Sequence, residues 1–482
     1  MKSTSLFGSV QIYNIFIMAI RVKVIALLLG PSGMGIMGLL NSTLGIIGSL
    51  TNFGLSTSAV KDIASTNGSN ESVEIRKIVT VFRRIVWFTG ILGTLTAIIL
   101  STWLSRLTFG NEEYSLAFIW ISFTLLFNQL SSGQLVILQG LQKLKLMAKA
   151  NMYGSTLGLI ITLPLYYNFG TEGIVPGIIG TSFISLLLSW HFSRKVKVHP
   201  IAVSLNQTKI IAKDMLKMGL AISFNTILGT GIAYVIRIYI GKTGSLTDVG
   251  LYSAGFMLLN TYFGLVLNAI GTDYYPRLSK VANDNVQMNR TVNETAEISF
   301  LVITPILIIF LVVIKWVITM FFSADFLPIK DMIYWATLGM FFKSASWAMG
   351  YMFLAKSDSK VYLINEVITK AYELIFNVLA YYFAGLVGLG ISFTITCLIN
   401  VIQLFFVSRK KYSFRFQKSL LNLFYIQLGL AILCLIVTYI LPQRYAILSG
   451  GIIIIISIWY SYFELDKRID IKGVLLKLRN KF

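Results

Sequence analysis

The chain has little of what soluble chemistry is built from. Its 482 residues include 2 cysteines and 2 histidines, and charged side chains amount to 13%. Cys397 and Cys434 fall in separate apolar runs, which excludes a disulfide framework and a paired-cysteine metal site and leaves both as packing residues. His191 and His199 stand at the end of an apolar run and in the basic loop after it, so no zinc spacing arises. A phosphate-binding Gly-x-x-x-x-Gly-Lys loop and a Gly-x-Ser-x-Gly elbow are also missing. The chain by itself is therefore not an ATP-driven pump. It is expected to be no enzyme, with no catalytic residue, cofactor or metal. The adjacent acids Glu112 and Glu113 lie in a short loop, where they read as solvated charge.

What is abundant is apolar sequence. Hydrophobic residues make up 56% and the mean hydropathy is +0.75, a balance suited to lipid rather than water. Runs of about twenty residues, each long enough to cross roughly 30 Å of hydrocarbon, recur from end to end. They predict an all-α integral membrane protein of about fourteen transmembrane helices, near 8–29, 34–57, 84–104, 114–138, 150–168, 173–192, 218–240, 249–272, 298–316, 331–354, 361–384, 388–408, 420–441 and 446–463. The first run, Ser9 to Gly30, has no small-x-small cleavage site and contains Arg21 and Lys23, so it is expected to be retained as a helix.

A net charge of +21 would suggest nucleic acid in a soluble protein. Here its location argues otherwise. One set of alternate loops holds Lys61, Arg76, Lys77, Lys143, Lys145, Lys149, Arg194, Lys195, Lys197, Arg277, Lys280, Arg290 and Arg409 to Lys411; the other holds only Arg106, Lys242, Lys330 and Arg444. The positive-inside rule makes the first set cytoplasmic, and an even helix count puts both termini there, including the basic tail from Glu464 to Phe482. The other loops, such as Gly170-Thr171-Glu172, are too short for an external domain.

The chain also repeats at a separation of about 215 residues. The stretch from Tyr166 to Gly173 recurs as Tyr381 to Gly388, Gly35 finds Gly250, and Gly54 finds Gly271. With six helices per half, this is a parallel repeat enclosing a central cavity, with two C-terminal helices outside it. The expected divisions are an N-terminal six-helix lobe over 1–200, a second over 201–410, and two extra helices with the basic tail over 411–482.

Ionisable groups deep in apolar runs are costly unless they face water or a partner. There are seven: Arg21, Lys23, Arg237, Lys343, Glu366, Lys370 and Glu373, a surplus of three positive charges. Glu366, Lys370, Glu373 and Asn377 fall at i, i+4, i+7 and i+11 and share one helix stripe, and Ser223, Thr226, Thr230 and Arg237 share another. Asn14 and Arg21 lie on one face while Lys23 points some 200° away, so at most one of the two cations aims straight into a common cavity. Glu366 and Lys370 also suit a plain intrahelical pair, Lys23 and Lys343 suit snorkelling to an interface, and Lys315 suits an interfacial anchor. Cations in a shielded cavity fit a ligand bearing phosphates.

Lys23, Leu-Leu-Leu-Gly-Pro-Ser-Gly-Met-Gly at 27–35, Asn-Phe-Gly-Leu-Ser at 52–56, Tyr-Pro-Arg-Leu-Ser at 275–279, and Ala355-Lys356-Ser357 followed by Glu366 stand in a familiar order. Over roughly residues 1–410 the chain resembles the Wzx-type O-antigen and polysaccharide flippases of the multidrug/oligosaccharidyl-lipid/polysaccharide exporter superfamily. The resemblance implies a cationic cavity between two lobes. It also implies transfer of an undecaprenyl-diphosphate-linked oligosaccharide from the cytoplasmic to the periplasmic leaflet of the bacterial inner membrane by alternating access. A polysaccharide polymerase and a chain-length regulator become candidate partners, and nucleic acid does not. Lys23 and Arg237 match basic positions of the family pattern and Glu366 an acidic one; Arg21, Lys343 and Lys370 rest on burial alone. Glu366 or Glu373 would be the group to exchange a proton or sodium ion. A lipid II flippase and a cation-coupled drug exporter share the architecture. An exporter of cationic drugs would favour acidic cavity residues, and a membrane glycosyltransferase or polymerase would need larger exposed loops.

Overall fold

In a hydrocarbon solvent every backbone N–H and C=O must be paired within its own segment, so apolar runs of this length become helices. The computed structural model describes residues 2–68, 72–196, 198 and 200–469; Lys197, His199 and the tail beyond 469 lie outside them. No strand occurs among the described residues. The helices are α1 (Lys2–Asn52), α2 (Leu55–Gly68), α3 (Ser72–Ile99), α4 (Ser101–Phe109), α5 (Ser115–Gly140), α6 (Leu144–Phe169), α7 (Ile174–Ser193) and α8 (Leu205–Thr243). They continue with α9 (Leu246–Lys280), α10 (Asn285–Phe321), α11 (Lys330–Ala355), α12 (Ser359–Tyr412), α13 (Lys418–Ile440) and α14 (Gln443–Ile469).

Ten stretches are long and apolar enough to cross a membrane. Three of them, Tyr13–Asn52, Leu144–Ser193 and Ser359–Tyr412, run 40, 50 and 54 residues, about twice what one crossing needs at roughly 1.5 Å per residue. Each is broken by a glycine at positive φ: Gly30, Gly170 and Gly385. These double spans and the 26-residue α11 account for the crossings expected from the apolar runs. Several helices extend further than hydrophobicity alone implies. Thus α3 starts at Ser72 rather than near 84 and α10 at Asn285 rather than near 298, because polar turns continue a helix into the headgroup region at no desolvation cost.

The repeat is visible in backbone geometry. Gly170 has φ 52°, ψ −127° and its counterpart Gly385 has φ 54°, ψ −138°, a conformation open to glycine and closed to side chains. Tyr166 and Tyr381 are both buried in the turns before them. A Cβ on Gly173 would strike the carbonyl of Leu165, and one on Gly388 that of Ala380, again 215 positions on. Gly35 and Gly250 go further, for they pack on one another. A Cβ on Gly35 would strike the Leu246 carbonyl and one on Gly250 the Pro31 carbonyl, each also lying about 3 Å from the other glycine's nitrogen. Both helices thus need glycine at this crossing.

The chain forms two compact units. One holds the described residues up to Gly250 with Phe321–Asp325, the other Leu251–Met320 with the described residues from Phe326 on. In the first, α2 and α3 pack on α5 through Leu55, Ile63, Phe82, Ile85 and Ile137, while Ile25, Leu40, Phe118, Ile121 and Ile178 join α1, α5 and α7. The second is packed with aromatics and methionine, among them Tyr274, Met288, Met349, Phe353 and Phe414. It also binds in the last two helices. Glu297 of α10, buried, takes a 2.7 Å ion pair from Arg468 of α14 and a hydrogen bond from Ser419 of α13. Arg468 reaches Glu464 as well, at 2.6 Å. The two ends of α12 are tied by Asp358, which caps the helix at the Val361 N–H and accepts from Lys411 at 2.9 Å and Tyr412 at 3.0 Å. The Lys411 hydrogen bond is the main reason its carboxyl is held below the usual range.

Candidate functional site

The bend in α1 leaves space against α5, α6 and α7. Two adjoining cavities of about 490 and 450 Å³ occupy it, sharing Arg21, Asn128, Ser132, Thr181 and Ser182. Their other polar lining is uncharged: Asn41, Ser49, Asn52, Gln129 and Thr162 in the first, Asn151, Ser155, Ser185 and Ser189 in the second. Arg21 is the one charged side chain among the described lining residues. Gly158 of α6 makes room for it, since a Cβ there would sit 2.7 Å from Nη2. The Arg21 Nε is buried and has no hydrogen-bond partner among the described residues, an expensive state for a guanidinium that a bound anion would relieve.

Part of the amide lining is locked in place. Gln129 Nε2 donates to Asn52 Oδ1 at 3.1 Å and to Thr89 Oγ1 at 2.8 Å, and Ser155 Oγ donates to Asn14 Oδ1 at 3.3 Å. The side chains of Asn41, Asn128 and Asn151 make no hydrogen bond among the described residues and are exposed. Charge in apolar runs does not single out these neutral amides. Uncharged polar residues in the middle of apolar runs would have marked them as candidates, without separating an amide that faces a chamber from one that faces lipid.

The other predicted residues are placed differently. Lys23, on the opposite side of α1 from Arg21, donates to the Phe322 carbonyl of the same unit and lines neither cavity. Arg237 also lies outside the two linings; its Nη1 donates to the Ala233 carbonyl one turn back on α8 at 3.3 Å. In the second unit, Lys343 reaches Asn260 Oδ1 at 3.4 Å and stands 5.7 Å over the Phe393 ring. Lys370 pairs with Glu373 at 2.6 Å, and Asn377 holds the Glu373 carbonyl at 2.7 Å. Glu366, half-buried, lies within electrostatic reach of Lys370 and Glu373. Lys343, Lys370 and Glu373 in turn reach the buried Cys397. Two cations thus face two acids in the second unit. All three surplus charges, Arg21, Lys23 and Arg237, sit in the first.

A many-pass helical membrane protein with a polar chamber inside its bundle belongs to the class of solute and lipid carriers. The fold itself is that of the lipid II flippase MurJ in an inward closed conformation, with TM-score 0.73 over 96% of this chain and 99% of that one at 14% identity. The chain belongs to the polysaccharide biosynthesis protein family, whose sequence profile matches residues 24–331. A putative O-antigen transporter of Shigella flexneri is 23% identical over 389 residues, 78% of this chain and 90% of its own length. The lipid III flippase of Escherichia coli K12 is 20% identical over 358 residues, 72% of this chain and 82% of its own. The kinship read from the motifs at 23–56 and 275–279 is borne out in these relatives.

Proposed function

We propose that the protein is a flippase for lipid-linked oligosaccharides, moving an undecaprenyl-diphosphate-linked repeat unit from the cytoplasmic to the periplasmic leaflet of the bacterial inner membrane. The observation that carries this reading is a chamber whose described lining residues include Arg21 as the one cation and no acid. A guanidinium shielded from bulk water binds phosphate oxygens through short, charge-assisted bonds, while an acid-free lining offers nothing to the cations a drug exporter carries. The names of the relatives point the same way. In this mechanism Arg21 holds a phosphate while the chamber faces one leaflet and releases it to the other, and the lipid tail stays in the bilayer throughout. Lys23 and Arg237 add positive potential within the same unit. Glu366 and Glu373, next to Lys370, form the site where a proton or sodium ion exchanges to drive the cycle. Both termini are cytoplasmic, and the flipped unit is passed to a polymerase working with a chain-length regulator.

The test is leaflet-resolved transport of a defined undecaprenyl-diphosphate-linked glycan by the purified protein in liposomes, with lipid II as a parallel substrate. Transport of the glycan is expected to fall about ten- to hundredfold in Arg21→Ala, the loss of one hydrogen bond to a charged group. It should also fall in Arg237→Ala, with membrane insertion intact in both. Full complementation of a flippase-deficient strain by both variants, or transport of lipid II alone, contradicts the proposal.

A further inference from the structure

Arg21 suits a phosphate, but it is one residue in two cavities whose other polar lining is made of amides and hydroxyls, set among apolar side chains such as Ile25, Leu44, Leu125 and Leu135. Three of those amides come from three different helices: Asn41 from α1, Asn128 from α5 and Asn151 from α6. Each carboxamide presents two N–H donors and a carbonyl acceptor. Their neighbours Asn52, Gln129, Asn14 and Ser155 satisfy one another, whereas these three have no side-chain hydrogen-bond partner among the described residues. The capacity left open is both donor and acceptor, carries no charge, and adjoins the guanidinium, since Asn128 and Arg21 line both cavities. A phosphate offers only acceptors and would leave the amide carbonyls unpaired. A hydrocarbon chain would leave all three amides unpaired. Sugar hydroxyl and acetamido groups both donate and accept, and a glycan joined to a phosphate held by Arg21 brings them to this spot.

We propose that Asn41, Asn128 and Asn151 bind the sugars nearest the diphosphate, which makes the chamber of the first unit the place where the glycan is selected by its hydroxyl and acetamido pattern. This rests on the flippase reading. A site built to hydrogen-bond a polar group discriminates strongly against an analogue that lacks it, because its own groups are then left unpaired. The combined space, at the upper part of the range typical of small-molecule pockets, suits a short stretch of glycan rather than a phosphate alone.

The experiment compares two probes with the same lipid and diphosphate, one bearing N-acetylglucosamine and the other glucose, in liposomes reconstituted with each protein. The wild type is expected to move the two at different rates. The variant Asn41→Ala/Asn128→Ala/Asn151→Ala should change the ratio of those rates by about tenfold, the loss of one to two net hydrogen bonds. Arg21→Ala should slow both probes alike and leave the ratio where it was. Equal wild-type rates, or a triple variant that slows both probes equally or neither, overturns the assignment. Asn128→Ser, which shortens one amide to a hydroxyl, carries the same expectation at smaller size if the triple variant does not fold. Should the wild type move neither probe, the flippase reading fails by itself. Calorimetric binding of free N-acetylglucosamine, kept in Arg21→Ala and lost in the triple variant, then decides the amide assignment separately; binding unchanged in the triple variant overturns it.

Discussion

The two units share a turn and differ in what they enclose. Gly170 and Gly385 adopt nearly the same backbone conformation, each following a buried tyrosine. Yet α1, α5, α6 and α7 surround two polar cavities of about 490 and 450 Å³, whereas a cavity in the second unit measures about 90 Å³ and is lined by apolar residues and Tyr425. Charge divides the same way. The second unit sets Lys343 and Lys370 against Glu366 and Glu373, while the first keeps Arg21, Lys23 and Arg237 without an acid among the charged residues picked out in its apolar runs. Repetition of a scaffold therefore preserves how helices turn, and leaves free what the space between them holds.

Four changes probe this division, in descending order of effect. Arg468→Ala strands the carboxylate of Glu297 in the packed unit, and removing one partner of a buried pair costs about 3–5 kcal/mol. Detergent-solubilised protein should unfold at a clearly lower temperature, and an unchanged midpoint would mean that water reaches Glu297. Glu373→Gln removes the acid from Lys370 and is expected to destabilise by about 1–3 kcal/mol. It should also alter the response of transport to dissipating a single ion gradient. A variant with full stability and unaltered ion dependence would show that the four-charge group of the second unit is not self-neutralising. Gly158→Ala places a methyl against the Arg21 guanidinium without removing any charge. Transport should drop several-fold at constant stability, about 1 kcal/mol of lost contact; unchanged transport would remove Arg21 from the binding step.

The smallest effect is a pH response. The Asp358 carboxyl is held below its usual range, chiefly by the Lys411 hydrogen bond. Its contribution is present above the unfolded value of about 3.9 and is lost as pH falls through the depressed folded value. Protection of the amides at the two ends of α12, taken relative to their intrinsic exchange rates, should fall on acidification, and Asp358→Asn should already show the lower protection at neutral pH with little further change. Equal acid responses in the two proteins would locate the sensitivity elsewhere.

Crossings were legible because hydrocarbon thickness imposes a length on apolar runs, and the repeat because glycine alone serves its turns. Helix ends such as Ser72 were not, since polar turns extend a helix without changing its hydropathy. Geometry along α1 predicted that Arg21 and Lys23 could not both face one cavity. Choosing Arg21 required the neighbours, in particular Gly158 and Thr181. The pairing of Lys370 with Glu373 instead of Glu366 is a matter of rotamers at i+3 against i−4, which spacing leaves open. Asn41, Asn128 and Asn151 went unseen because a neutral amide in a lipid-facing run and one in a chamber read alike.

Gly35 rests against the helical turn of Leu246 to Gly250, and Gly250 against that of Pro31 to Gly35. A side chain at either position would therefore push the two helical turns apart. Wherever else the halves hold different contents, this point keeps two backbones in contact through the absence of room for a methyl group.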